Sequence, residues 1–268
     1  MVKKPGAFNV SCIGESHIRN GIICQDYSGS WVSTADAGDI AIIAVADGHG
    51  AAAHSRSDRG ARFAVDAAIS CIQEFVLQKR KSLSNPDSDL AALEKSIIAA
   101  WHEKVNNDSD ADPLNNDVCH DGDYISHYGT TLLAAAVTRF YWFAIQIGDG
   151  KCVIFNEKLH FCQPVPWDDR CFFNITTSLC DEEAASLFRH FYSEEFPIAI
   201  FLGSDGIDDS FPANNNGLHL GRFYTSVLKN FLTEGHEKGK TDLLNMLPLL
   251  TKKGSGDDVS IAGIVRRQ

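Results

Sequence analysis

Basic residues are scarce in this chain: 24 Lys and Arg stand against 35 Asp and Glu, a formal net charge of -11. Such a balance repels phosphate backbones and anionic lipid surfaces, so nucleic-acid and membrane-surface partners are not expected. Nor is there any run of about 20 apolar residues, the length a spanning helix requires. The opening MVKKPGAFNV also lacks the apolar stretch of a signal peptide. The 8 cysteines contain no Cys-x-x-Cys pair and no Cys/His ligand spacing, which removes the basis for a disulfide framework or a structural zinc site. Cys162, Cys171 and Cys180, though evenly spaced, read as ordinary thiols in a reducing compartment, and the expectation is a soluble, cytoplasmic, monomeric protein. No G-x-S-x-G elbow surrounds Ser204, so a serine hydrolase finds no support.

What the chain does have is 268 residues with 44% hydrophobic content, enough to bury the core of one large domain, residues 1–268. Three segments within it share a pattern: an apolar run of strand length with, at one end, an aspartate next to a glycine or a second acid. They are AIIAVADGHG ending at Gly50, IAIFLGSDGIDD ending at Asp209, and GSGDDVSIAGIV, in which the acids precede the run. Carboxylates at strand ends are held rigidly, and neighbouring glycines let the backbone approach a ligand. Clustered hard oxygen ligands suit Mg²⁺ or Mn²⁺ better than zinc, so the pattern reads as a metal-dependent hydrolase. Taken singly, Asp47, Asp149 or Asp205 before a glycine is an ordinary turn former; it is the repetition that points to a metal.

Periodicity gives the coarse architecture. Strands are expected over residues 8–14, leading into 24–26, over 39–46, 130–138, 141–147, 152–155 and 259–265, with a polar turn at 17–21. Helices are expected over 58–81, where Phe63, Ala67, Ala68, Cys71, Ile72, Phe75 and Val76 form a stripe capped by Ser57, and over 89–105, 181–192, 222–232 and 241–247. Residues 106–127 read as a solvated loop. Asp108, Asp110 and Asp112 alternate there like the start of a calcium loop, but Pro113 stands where its glycine belongs and Cys119 where its bidentate Glu belongs. Neighbouring strands joined by short turns favour an α+β fold of antiparallel sheets covered by paired helices.

The ordered set CQD (24–26), VADGHG (45–50), GTT (129–131), IGDGK (147–151), SDGIDD (204–209) and GDDVS (256–260) resembles the type 2C metal-dependent serine/threonine protein phosphatases. The GESH…CQD opening looks like a divergent bacterial branch. The resemblance implies a four-layer α-β-β-α sandwich with a two-ion Mn²⁺ or Mg²⁺ centre, a possible third ion, and phosphorylated proteins as substrates. It further implies that Asp47 bridges the metals, that Gly48 offers its carbonyl, and that Asp205 and Asp257 complete the set. Asp149 would help hold the third ion, His49 would be the general acid, and Asp26 would orient the attacking water. Asp258 stays open as an alternative to Asp257. Family members place a phosphate-binding arginine where this chain has Gly21; Arg19, or else Arg56 or Arg59, is expected to supply that charge. A scaffold with degenerate catalysis and a small-molecule phosphoester hydrolase are the competing readings.

Overall fold

The computed structural model describes residues 6–33, 40–79, 81–114, 124–172 and 175–266. Among the described residues, ten strands form two five-stranded antiparallel sheets. One is ordered β1 (Gly6–Cys12), β10 (Val259–Val265), β9 (Ala199–Gly203), β6 (Lys151–Phe155) and β7 (Phe161–Cys162). The other runs β2 (Asp26–Val32), β3 (Ala41–Asp47), β4 (Leu132–Val137), β5 (Trp142–Ile147) and β8 (Arg189–Ser193). Residues that alternate along β3 and β4 serve two cores. Ile43, Val45, Leu133 and Ala135 meet Ile200, Leu202 and Ala262 between the sheets. Their neighbours Ile42, Ala44 and Ala134 pack outward on helices α2 (Ser57–Gln78) and α3 (Pro86–Ala111). On the other sheet, Phe8, Phe201 and Val259 pack on α6 (Asn216–Thr233) and α7 (His236–Lys253). The α-β-β-α sandwich expected from the sequence is therefore the observed fold.

Its details correct the sequence reading in several places. The polar turn at 17–21 is a short helix, α1 (Glu15–Asn20), closed by Gly21 in the left-handed region at φ 66. Glycine takes that backbone without strain, which explains Gly21 as a helix end. The strand expected to lead into 24–26 starts at Asp26 instead. Residues 181–192 hold only a four-residue helix, α4 (Ala184–Leu187), and then β8, whose Phe191 and Tyr192 pair with Ala144 and Phe143 of β5. Edge pairing with a hydrophobic strand outweighs the local helical spacing. Another four-residue helix, α5 (Asp205–Asp208), follows β9. Pro86 opens α3 at its first turn, a position that spares its missing N–H, and Ser57 is the first helical residue of α2 rather than its cap.

The expected loop at 106–127 begins later than predicted, because α3 continues to Ala111. Asp108 and Asp112 lie at an end where the helix dipole disfavours negative charge, and cations from the neighbouring helix compensate. Arg59 Nη1 lies 2.9 Å from both carboxylates, and Arg56 Nη2 lies 3.3 Å from Asp112. These acids pair the helices and do not form a calcium loop. Cys119, like Asp39 at the start of the strand expected over 39–46, lies outside the described residues.

Candidate metal centre

The antiparallel register of β2 on β3 sets Asp26 opposite Asp47 at the end of the buried strand. Both backbone groups of Asp47 are pinned: its N–H donates to Thr131 Oγ1 (3.1 Å), and its carbonyl accepts from Thr130 Oγ1 (2.8 Å) and Thr131 N–H (2.9 Å). This is the work of the GTT segment. Gly48 follows where the backbone is closely approached, since a Cβ there would lie 2.6 Å from Ser57 O and 2.7 Å from Gln25 O. Only glycine fits that approach.

The second sheet brings its acids to the same end. Ser204, ahead of α5, donates to Asp26 Oδ2 (2.8 Å) and accepts from Ser260 N–H (2.9 Å), so a single hydroxyl ties β9 and β10 to the carboxylate on β2. Asp205 follows, within hydrogen-bond reach of Asp47. Ahead of β10, two consecutive acids separate completely. Asp258 is 3% exposed and accepts from Gly14 N–H and Gln25 N–H, both at 2.6 Å. Asp257 has a side chain 56% exposed and acts electrostatically on Asp47, Asp205 and Asp209. Asp149 lies in the β5–β6 turn, whose Gly148 has φ 101 and donates its N–H to Thr177 Oγ1 (2.9 Å).

These carboxyls repel one another. Burial, followed by the charges of Asp205 and Asp26, holds Asp47 well above the usual carboxylate range. Burial raises Asp205 to about 6, with Asp149, Asp209 and Asp257 adding to the rise and the hydrogen bond with Asp47 opposing it. Asp26 is raised by burial against the hydrogen bond from Ser204, and Asp149 by burial against Thr176 and Lys151. Lys151 Nζ, 3.3 Å from Asp208, is a cation near the cluster. A buried set of acids raised this far is short of positive charge, which a divalent cation with oxygen ligands would supply.

His49 extends beyond Gly48 with Nε2 2.8 Å from Ser178 Oγ and its ring edge-on to His54 at 4.8 Å between centroids. Burial, and then the neighbouring His54, lower it to about 4, so the imidazole is neutral at pH 7. Arg19 lies on the exposed face of α1, paired with Glu15 at 3.1 Å. Arg56 and Arg59 are committed to the end of α3, Arg56 also donating to Tyr128 OH at 2.8 Å. Sequence reasoning passed over Asp209 and His17, whose Nε2 lies 3.6 Å from Asp257 Oδ1 and Nδ1 3.1 Å from Asp258 Oδ1. Asp209 was visible in SDGIDD; the place of His17 depends on the unpredicted α1.

The sequence profile described as protein phosphatase 2C matches residues 13–247. A search by sequence among curated proteins finds no match. Among solved structures the fold is shared with PppA, a regulatory component of the type VI secretion system of Pseudomonas aeruginosa (TM-score 0.61, 16% identity, 99% of each chain covered). It is shared also with the serine/threonine phosphatase Stp1 of Staphylococcus aureus (0.62, 16%, 100% of this chain and 96% of that one) and with PstP of Mycobacterium tuberculosis (0.58, 14%, 100% of each). A structure of the PstP catalytic domain holds two manganese ions (0.58, 14%, 98% of this chain and 99% of that one). With the profile spanning most of its length, the chain belongs to the protein phosphatase 2C family of serine/threonine protein phosphatases.

Proposed function

We propose that this protein hydrolyses phosphoserine and phosphothreonine in protein substrates at a centre of two Mn²⁺ or Mg²⁺ ions. The observation that carries the reading is the cluster of aspartates from both sheets, in which burial and neighbouring carboxylates raise Asp47 and Asp205. Asp47, the Gly48 carbonyl, Asp205 and Asp257 would hold the pair, and Asp149 with Asp205 a third ion. When bound, the ions supply the positive charge that activates a water and neutralises the phosphoryl oxygens.

The protein's own groups do the rest. Asp26, fixed by Ser204 behind Asp47, orients the attacking water. His49 delivers a proton to the leaving serine oxygen. Neutral in the free protein, it needs the phosphate dianion beside it to favour its charged form, so the donor exists only in the substrate complex. Arg19 meets the phosphate, at the small cost of an exposed ion pair with Glu15. The scaffold reading rests on the missing arginine at Gly21, a residue that here closes α1, and is the alternative if no turnover is found.

The deciding experiment assays a phosphopeptide beside a panel of small phosphoesters, with chelator and with added Mn²⁺ or Mg²⁺. Metal-dependent turnover that favours the peptide is expected. Full activity in excess chelator refutes the two-ion mechanism, and a preference for small esters refutes the substrate class.

A further inference from the structure

Two adjacent acids in the same turn have opposite surroundings, and one imidazole stands against both. Asp258 is saturated by backbone donors from Gly14 and Gln25. The exposed Asp257 accepts at Oδ1 from Asp258 N–H (2.8 Å), and the same oxygen faces His17 Nε2 at 3.6 Å. Suitable ligand atoms of His17, Asp257 and Asp258 all lie within 4.8 Å of one another. His17 Nδ1 is buried and has no aligned partner, although Asp258 Oδ1 is 3.1 Å away.

The ring is mounted on the turn it faces. Ser16 donates to Gly256 O from its N–H (2.8 Å) and its hydroxyl (2.6 Å). Glu15 N–H reaches Thr251 Oγ1 at 3.2 Å, and that hydroxyl donates to Asp257 O at 2.7 Å. Helix α1 and the Asp257 turn are thus one hydrogen-bonded unit, and His17 sits within it with a side chain only 14% exposed.

We propose that His17 is a positioning residue for Asp257: the Asp258 N–H occupies one carboxylate oxygen and the imidazole faces the same atom, leaving Oδ2 for a divalent ion shared with Asp47 and Asp205. The inference rests on the metal-phosphatase reading. At 3.6 Å the contact is longer than a direct hydrogen bond, so the ring N–H orients Asp257 as a polar neighbour or through a bridging water. Groups that orient a metal ligand commonly matter 10–100-fold in metal affinity.

The two ring nitrogens face different acids, which makes the test specific. His17→Gln can place an amide donor near the position of Nε2, toward Asp257; His17→Asn places one near Nδ1, toward Asp258; His17→Ala removes both. Mn²⁺ affinity of the full chain is read by calorimetric titration, and folding by thermal melts in chelator. The expected result is a dissociation constant raised about 10–100-fold in His17→Ala and His17→Asn, with His17→Gln within about threefold of the parent. Three variants that bind like the parent overturn the inference, as does rescue by Asn in place of Gln, which would assign the effect to Asp258. Nitrogen hyperfine coupling to bound Mn²⁺ also overturns it by making His17 a direct ligand. If the parent protein itself binds no Mn²⁺, the metal reading fails and the inference with it; if only the variants are unaffected, the inference alone fails.

Discussion

In the metal-free protein Asp205 is a source of instability, and removing its charge should stabilise the fold. Its carboxyl sits at about 6 in the folded chain, against a usual value near 3.9. That difference of about two pH units, at about 1.4 kcal/mol each, amounts to roughly 3 kcal/mol at pH 7. The sign follows from proton binding. A raised carboxyl makes the folded state the better proton binder, so its contribution is fully present below about pH 4 and is lost as pH rises through about 6. Asp205→Asn escapes that loss and forfeits only a favourable acid in the first turn of α5, worth about 0.3–1 kcal/mol. A net gain of about 2 kcal/mol at pH 7, near 4–8 °C in melting temperature, should shrink towards zero at pH 4. The assay is a series of thermal and urea melts from pH 4 to 7 in chelator, compared between variant and parent. Saturating Mn²⁺ should reverse the order, because an ion at about 100 times its dissociation constant stabilises the parent by about 2.7 kcal/mol. A variant less stable than the parent at pH 7 in chelator, or a gain that ignores pH, would refute the account of Asp205 as a strained metal ligand.

His49→Ala should slow phosphopeptide hydrolysis by about 10²–10⁴-fold and an activated aryl phosphate much less, since a phenolate leaves without a proton; equal losses on both substrates would remove the general-acid role. Gly206→Ala forces a Cβ to 2.0 Å from the Asp258 carbonyl, so urea melts should show a loss of at least about 1–3 kcal/mol, and unchanged stability would contradict the packing of α5 on the 257–258 turn. Arg19→Ala should raise KM for a phosphopeptide several-fold with kcat little changed, and an unaltered KM would assign phosphate binding to another group.

The buried strands were the most legible part of the fold because their signal is local. The run from Ala41 to Ala46 is wholly buried between two cores, and a segment wet on neither face has to be apolar throughout. The final strand was read to the residue, Val259–Val265, for the same reason. The regions that failed were those decided by partners distant in sequence. Residues 189–193 carry helical spacing, and their strand exists because β5 offers an edge. Helix α3 outlasts its apolar stripe at Val105 because Arg56 and Arg59, some 50 residues earlier, neutralise the acids of its last turn. At the other end of the chain the helix expected over 241–247 begins earlier and runs on through Pro248, as α7, to Lys253.

The site divides along the same line. Asp47, Asp149 and Asp205 could be named because each follows a strand or sits in a hairpin turn, and strand ends are positions that sequence reveals. Asp257 and Asp258 could not be told apart, since adjacency in sequence says nothing about which side chain turns inward. The fold makes that choice through two backbone N–H groups, Gly14 and Gln25, over 200 residues away; both reach Asp258 and neither reaches Asp257. A carboxylate with both oxygens taken by backbone donors holds the chain together and has little left for an ion, which is why the proposed centre takes the exposed neighbour as its ligand. The aspartate pair thus fixes the turn with one acid and presents the other to the cluster, and His17, standing against both, belongs to the machinery that keeps those two tasks separate.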